Sequence, residues 1–153
     1  LAYQRGSVWP FDTSLIVSGF RRHRLDEPAM RLFEATVAAA CRFPHGRLPE
    51  FIAGNRRVDG GSPVKALRSD PLQAWSAAAL PFMVTELLGL EPDGFASRLT
   101  IRRPRLPPGT DWLRLEGLRL GDAVLSVTFR RDGDAVVVEA DVRSGEAQID
   151  VEE

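Results

Sequence analysis

The spacing of apolar residues changes near residue 94, and this change constrains the fold more than any other feature of the sequence. Before residue 94, apolar residues recur at intervals of three and four, which is typical of amphipathic helices. After it, apolar and polar residues alternate, as over residues 125–129, which is typical of strands with one solvated face. Residues 131–134 read RDGD, which predicts a hairpin turn at Gly133. The sequence therefore predicts an α+β chain, with a helical part over residues 1–94 and a small antiparallel β unit over residues 95–153.

Two of the three predicted helices lie near the start of the chain. The first extends over about residues 9–23, with Ser7 as a plausible N-cap and an apolar stripe that includes Leu15 and Ile16. The second begins near Asp26, which can act as its cap, and its apolar residues recur at helical spacing.

The third helix is expected over about residues 71–88, capped by Asp70 or Ser69. Pro81 lies inside this segment and is expected to kink the helix or split it, because its ring clashes with the preceding turn. Gly89 is a suitable stop signal. The segment before this helix, residues 43–69, shows no apolar period. A loop of this length inside a compact protein is usually functional.

Composition excludes several classes of function. Lys and Arg number 20 and Asp and Glu number 21, so the net charge is -1 and gives no electrostatic reason to expect a nucleic-acid or membrane partner. Hydrophobic residues make up 44% of the chain, which is enough for a packed core. His23 and His45 have no cysteine or carboxylate partners at ligand spacing, so neither a metal site nor a cofactor is predicted.

The single cysteine, Cys41, follows an apolar helical run and is predicted to be a buried structural residue. One cysteine excludes an internal disulfide and, with the absence of a signal peptide, predicts a cytoplasmic protein. The sequence starts at Leu1 without methionine and enters a motif directly. We therefore expect it to be a fragment of a longer polypeptide.

Three short segments in a fixed order carry the candidate chemistry. They are GSVWPFD at residues 6–12, LPEF at residues 48–51 and SDPLQAWSAAAL at residues 69–80. Together they resemble the C-terminal end of bacterial amylo-α-1,6-glucosidases of the glycogen-debranching type. That family is similar to the glucoamylases, whose catalytic domain is a toroid of paired helices. The resemblance extends over nearly the whole chain and implies that residues 1–94 are the last helices of an (α/α) toroid.

The family resemblance implies an inverting α-glycosidase that acts on an α-glucan or oligosaccharide. Such an enzyme needs one carboxyl group to protonate the leaving oxygen and another to activate water. Glu50 matches the family's general base, whereas spacing alone would favour a solvated loop glutamate. The proton donor lies upstream of Leu1 in the family. The 153-residue chain is therefore expected to be inactive alone and to need the upstream remainder of the same polypeptide.

Three further residues are candidates for substrate binding: Trp9, Asp12 and Trp75. Aromatic faces stack on sugar rings, and carboxylates accept hydrogen bonds from sugar hydroxyls. In relatives the first segment commonly reads GSVWPHDN, so the sugar contacts of that histidine and asparagine are in doubt here, where Phe11 and Thr13 replace them. The alternatives are core packing for the two tryptophans and a first-turn helix-dipole role for Asp12.

A less favoured candidate for ligand binding is the pair Arg56 and Arg57 beside the glycine-rich residues 60–62. The pair could hydrogen-bond a sugar or an anion, but a solvated loop is favoured. The glycine-rich stretch is not a phosphate-binding loop, because it lacks the Gly-Lys-Ser/Thr that would follow.

Two alternatives to the debranching enzyme stay open. One is a non-catalytic carbohydrate-binding or scaffold module in which the β unit binds. Its solvated face would need aromatic residues, yet Ser126, Thr128, Glu139 and Asp141 occupy that face and Trp112 is the one exposed-aromatic candidate. The other is a related toroid enzyme, such as an α-rhamnosidase or a trehalase, which the sequence separates poorly from a debranching enzyme.

Overall fold

A computed structural model of the chain describes residues 3–56, 58 and 61–152. Over these residues the protein is α+β, with three α-helices and two small, mostly antiparallel sheets, which confirms the predicted class. The chain divides into two compact units, Leu1–Val84 and Thr85–Glu153. Within the described residues, none of the helices combines the length and hydropathy needed to cross a bilayer.

The helices begin and end close to the predicted positions. Helix α1 extends over Pro10–Arg22, α2 over Asp26–Ala40 and α3 over Ala74–Leu88, and a 3₁₀ turn, Pro44–Gly46, follows α2. The N-cap of α1 is Trp9 rather than Ser7. Proline at the first helical position sets this start, because its missing N–H would have had no partner within the helix.

Helix α1 buries a side that contains Val17 together with the polar residues Ser14 and Arg21. Leu15 and Ile16 are 48% and 49% exposed, so these two residues of the predicted apolar stripe lie on the exposed side. Arg21 is only 4% exposed and forms a salt bridge with Asp26 at the start of α2. A buried guanidinium is tolerated here because it is paired with a carboxylate of the neighbouring helix.

Helix α2 ends just before the single cysteine. Phe33 and Ala40 are buried as the helical spacing predicted. Cys41, however, is the C-cap residue and is exposed, so the predicted burial of this thiol is wrong. The helical period that predicted burial stops at the last helical residue, and the next side chain leaves the packed face.

Helix α3 differs from the prediction at its start and is not split at its internal proline. It starts after Pro71, because the Asp70 carboxylate accepts a hydrogen bond from the Leu72 amide (2.9 Å) in a turn that precedes the helix. Pro81 does not split the helix, which is continuous to its end. Only one helical hydrogen bond is lost at this proline. Gly89 ends α3 with φ at +66°, as predicted.

The second unit contains two three-stranded sheets. One sheet contains the first, second and sixth strands of the chain in that order, and the other contains the third, fourth and fifth. The strands are β1 (Leu90–Asp93), β2 (Arg98–Arg102), β3 (Trp112–Leu120), β4 (Ala123–Asp132), β5 (Ala135–Ser144) and β6 (Gln148–Glu152). β2 and β6 pair in parallel, so the prediction of an antiparallel unit is wrong for this pair. A parallel pair needs a long connection, which the intervening strands β3–β5 supply.

Strand β4 is the centre of its sheet and is buried on both faces over residues 125–129. Phe129 is buried as predicted, but Ser126 and Thr128, which were predicted to face solvent, are each only 4% exposed. Arg114 of β3 donates a hydrogen bond from Nη1 to the Thr128 hydroxyl at 3.2 Å. A longer side chain of a neighbouring strand therefore covers Thr128, which alternation alone could not reveal.

The turn between β4 and β5 agrees with the sequence prediction. Asp132 pairs with Ala135, and Gly133 and Asp134 form the two-residue connection. Gly133 has φ at +59°, a left-handed conformation that tight hairpins require and that glycine adopts at little cost.

Arg131 at the end of β4 holds the segment that leads into β3. Its guanidinium donates hydrogen bonds to the carbonyl oxygens of Leu106 (3.1 Å), Pro107 (2.9 Å) and Thr110 (3.2 Å). Its backbone N–H donates to the carbonyl of Asp111 at 2.8 Å. This segment carries little regular structure, so one side chain supplies donors that a neighbouring strand would otherwise provide.

Replacing Arg131 with methionine is expected to lower the free energy of unfolding by about 1–2 kcal/mol, because three hydrogen bonds at a partly solvated site are lost. Urea denaturation followed by the NMR signal of the Trp112 indole N–H measures the change. The matched control is Arg130→Met, which removes an exposed ion pair with Glu139 (3.7 Å). Its expected effect is below about 0.5 kcal/mol. Equal losses in the two variants would contradict this role of Arg131.

Candidate functional site

Aromatic rings bring the three sequence segments together in the first unit. Trp9 stacks on Phe51 with centroids 4.8 Å apart, and Trp75 meets Trp9 edge to face at 6.0 Å. Trp75 also stacks on Phe11 at 5.1 Å, and Tyr3 packs edge-on against both Trp9 (4.9 Å) and Phe51 (5.2 Å). We call these five residues the aromatic cluster. Each of the three sequence segments contributes at least one ring to it.

Backbone pairing accounts for the meeting of the first two segments. Val8 and Ile52 form an antiparallel bridge, with reciprocal N–H to carbonyl distances of 2.9 and 2.8 Å. Ile52 also pairs with Lys65, so the long loop folds back on itself beside the first segment. The residues next to this bridge, Trp9 and Phe51, are thereby placed within stacking distance.

Glu50 is half-buried and is held by the segment that precedes α3. Its backbone N–H donates to the Asp70 carbonyl at 2.8 Å, and the Asp70 N–H donates in return to Glu50 Oε2 at 3.2 Å. The Glu50 carbonyl accepts a hydrogen bond from Ser76 Oγ at 3.4 Å, and the Phe51 N–H donates to Ser69 Oγ at 3.0 Å. Both the peptide and the carboxylate of Glu50 are therefore oriented.

The other predicted site residues differ in their surroundings. Trp75 is 40% exposed, so part of its ring is open to a ligand rather than packed in a core. Trp9 is half-buried, and its Nε1 donates to the Tyr3 carbonyl at 3.3 Å. Asp12 is exposed in the first turn of α1, apart from these ring contacts. The structure thus brings Trp9 and Trp75 together, with Glu50 next to Phe51 of the same cluster.

Several residues of this site were not predicted as site residues, and the local sequence pointed to only one of them. Phe51 follows Glu50 in the same motif, so its position could have been anticipated. The roles of Ser69 and Ser76 depend on partners far away along the chain, which no local pattern indicates.

A cleft of about 290 Å³ opens between the loop after α2 and the start of α3. Its walls include Arg47, Leu48, Gln73, Ser76 and Leu80. None of the four predicted site residues lines the cleft. Ser76 nevertheless links the two features, because it lines the cleft and also contacts the Glu50 carbonyl.

The described part of the chain bears on the expectations for metal and anion binding. Among the residues that the structure describes, no group of three or more histidine, cysteine or carboxylate side chains is placed to hold a metal ion. Arg56 is exposed. Its predicted partners Arg57 and Gly60 lie outside the described residues, so the arginine and glycine stretch is described only in part.

The arrangement has the chemical parts that a carbohydrate site needs. A half-buried carboxylate is oriented by a backbone amide, and beside it lies a partly exposed aromatic cluster. Such a carboxylate can take a proton from water, and aromatic faces can pack against sugar rings. No protein-family model matches this sequence, and no curated protein matches it.

Proposed function

We propose that this chain carries the general-base side of the active site of a cytoplasmic, inverting α-glycosidase of the debranching type. Its substrate would be an α-glucan or oligosaccharide with an α-1,6 linkage. The observation that supports the proposal is the aromatic cluster, in which the three segments of the family resemblance meet. Segments far apart in sequence are expected to converge when each contacts the same substrate.

In this proposal Glu50 is the general base. It would take a proton from a water molecule as that water attacks the anomeric carbon, while a carboxylic acid on the other side protonates the leaving oxygen. Inversion requires the two carboxyl groups to stand about 6.5–9.5 Å apart, which leaves room for the water. The hydrogen bond from the Asp70 amide would hold the carboxylate facing that water.

In this proposal the aromatic cluster and Asp12 bind the substrate. The exposed part of Trp75 would pack against a sugar ring, and Trp9 would support it from the side. The exposed carboxylate of Asp12 would accept hydrogen bonds from sugar hydroxyls.

The general acid in this proposal belongs to residues upstream of this sequence, and α1–α3 belong to an (α/α) toroid. The exposed apolar residues of the first unit support this part of the proposal. Leu15 and Ile16 of α1 and Leu72 before α3 are 48%, 49% and 70% exposed. Burying such surface against further helices stabilises a protein by about 25 cal/mol per Å².

One observation bears on the alternative of a carbohydrate-binding β unit. Trp112 is 60% exposed at the start of β3, as the sequence predicted. Its partner in register on β4 is Arg130, and the next residue on the same face of β3 is Arg114. The β unit exposes a second ring, Phe95, between β1 and β2, so the prediction of Trp112 as its one exposed aromatic residue is wrong. Trp112 itself lies beside arginines, which makes a weaker sugar platform than the stacked rings of the aromatic cluster.

The proposal is tested by the products of hydrolysis. We expect the 153-residue chain alone to release no sugar from isomaltotriose. The complete polypeptide encoded by the source gene should hydrolyse this α-1,6-linked substrate. Proton NMR during the first minutes should show the new reducing end as the β-anomer, because inversion is a single displacement. Turnover by the 153-residue chain, or an α-anomeric first product, would contradict the mechanism.

Sugar binding is tested separately in the 153-residue chain by the quenching of tryptophan fluorescence with maltotriose. Trp75→Leu is expected to weaken binding about tenfold, because a stacked ring contributes about 1 kcal/mol or more beyond simple burial. The control is Trp112→Leu, which removes the exposed tryptophan of β3 and should leave the affinity unchanged. Loss of binding in the control but not in Trp75→Leu would favour the β unit as the binding surface.

A further inference from the structure

We propose that Ser69 is a positioning residue for Glu50, assisted by Ser76, an inference that rests on the proposed role of Glu50 as general base. The two serines act on the same peptide unit, the one that joins Glu50 to Phe51. Its N–H donates to Ser69 Oγ at 3.0 Å, and its carbonyl accepts from Ser76 Oγ at 3.4 Å. The serines are only 3% and 2% exposed.

A peptide held at both polar groups cannot rotate about its flanking bonds without breaking a buried hydrogen bond. Buried backbone groups need partners, and in loops outside a sheet those partners must come from side chains or water. Here two hydroxyls supply them from opposite ends of the segment 69–76. The orientation of this peptide sets the direction in which the Glu50 side chain leaves the backbone.

Asp70, the residue after Ser69, also holds Glu50 in place. Asp70 exchanges two hydrogen bonds with Glu50, one through its carbonyl and one from its N–H to Glu50 Oε2. The Asp70 side chain in turn accepts from the Leu72 N–H, which fixes the turn that presents this amide. Ser69 therefore anchors a turn that holds the carboxylate as well as the peptide.

The same peptide unit also joins the base to the aromatic cluster. Phe51, on its C-terminal side, stacks on Trp9 at 4.8 Å. A shift of this peptide would therefore move the carboxylate relative to the rings that are proposed to bind the sugar. Misplacement of a catalytic group by 1 Å can reduce a rate about 100-fold, so these hydroxyls bear on catalysis without touching substrate.

The first test measures amide hydrogen exchange by NMR in the 153-residue chain. In Ser69→Ala the Phe51 amide loses its acceptor and should exchange about tenfold faster, while the amides of α2 keep their rates. Ser69→Thr restores a hydroxyl and should restore slow exchange. The matched control is Ser18→Ala, which removes a buried hydroxyl from α1 and should leave Phe51 unchanged. Unchanged exchange at Phe51 in Ser69→Ala, or equal acceleration throughout the first unit, would overturn the proposal.

The second test measures kinetics with isomaltotriose in the complete polypeptide. Ser69→Ala should lower kcat by about tenfold to 100-fold with KM within twofold, since the base acts only in the transition state. Ser69→Thr should recover most of kcat, and Ser18→Ala should match the parent. Equal effects on kcat and KM, or none, would overturn the positioning role. If the parent itself is inactive, the proposed function fails, and the exchange measurement still decides whether the serines hold this peptide.

Ser76→Ala provides an independent variant should Ser69→Ala fail to fold. Its longer hydrogen bond predicts a smaller change in the same direction, a few-fold in kcat with KM unchanged. A parental kcat in this variant, together with unchanged exchange at the neighbouring Phe51 amide, would remove Ser76 from the proposal.

Discussion

Glu50→Ala is expected to lower kcat of the complete polypeptide on isomaltotriose by about 10²–10⁴-fold, the usual contribution of a general acid or base. Without the carboxylate, the attacking water keeps its proton and is a poor nucleophile. KM should change little, because the carboxylate acts on the attacking water and makes no contact with the sugar in the ground state. Steady-state kinetics measure the loss.

Chemical rescue separates a lost base from a damaged fold. Azide is a good nucleophile without deprotonation, so it should restore turnover of Glu50→Ala and yield a glycosyl azide of inverted configuration, while the general acid still protonates the leaving oxygen. The matched control is Glu34→Ala, which removes an exposed carboxylate of α2 and should leave kcat unchanged. Full activity in Glu50→Ala, or failure of azide to restore it in a folded variant, would count against Glu50 as the base.

Gly89→Ala is expected to lower the free energy of unfolding of the second unit by about 3 kcal/mol or more. Gly89 has φ at +66°, and a Cβ atom there would lie 1.9 Å from the Arg102 carbonyl oxygen. The neighbouring backbone cannot retreat freely, because the Arg102 N–H donates to the Gly89 carbonyl at 2.8 Å. Urea denaturation followed by the NMR signal of the Trp112 indole N–H measures the loss in this unit.

Gly133→Ala is the matched control for this substitution. Gly133 has a similar φ of +59°, but a Cβ atom there would meet nothing within 4 Å. Only the left-handed conformation opposes alanine at this turn, and that costs about 1–2 kcal/mol. The difference between the two losses in free energy of unfolding therefore gives the cost of the clash between the added Cβ atom and the Arg102 backbone. Equal losses would show that conformation alone accounts for the effect.

These two glycines also show how far local patterns predict the fold. Both were identified from the sequence, one as a helix stop and one as a hairpin turn, because a left-handed residue is a local requirement. The contact of Gly89 with Arg102 was not predictable, since it depends on the pairing of β1 with β2. The parallel pairing of β2 with β6 was missed for the same reason.

Predictions of burial were less successful than predictions of secondary structure. The alternation in β4 was correct, yet Ser126 and Thr128 are buried, because a central strand is covered on both faces. In α1 the apolar residues Leu15 and Ile16 are half exposed, and the buried side contains the Arg21 salt bridge with Asp26. Periodicity shows that a helix has two unlike faces, but the packing partner decides which face is buried.

For the candidate site, the sequence by itself determined which chemical groups are present and in which segments they lie. Glu50, Trp9 and Trp75 were all named from short motifs, because residue type and neighbours are local properties. Only the tertiary structure decided that the rings of these segments touch and that Ser69 and Ser76 hold the peptide after Glu50. The physical reason is that such contacts join residues far apart along the chain, where the loop path and backbone pairing, rather than any local preference, set the distance.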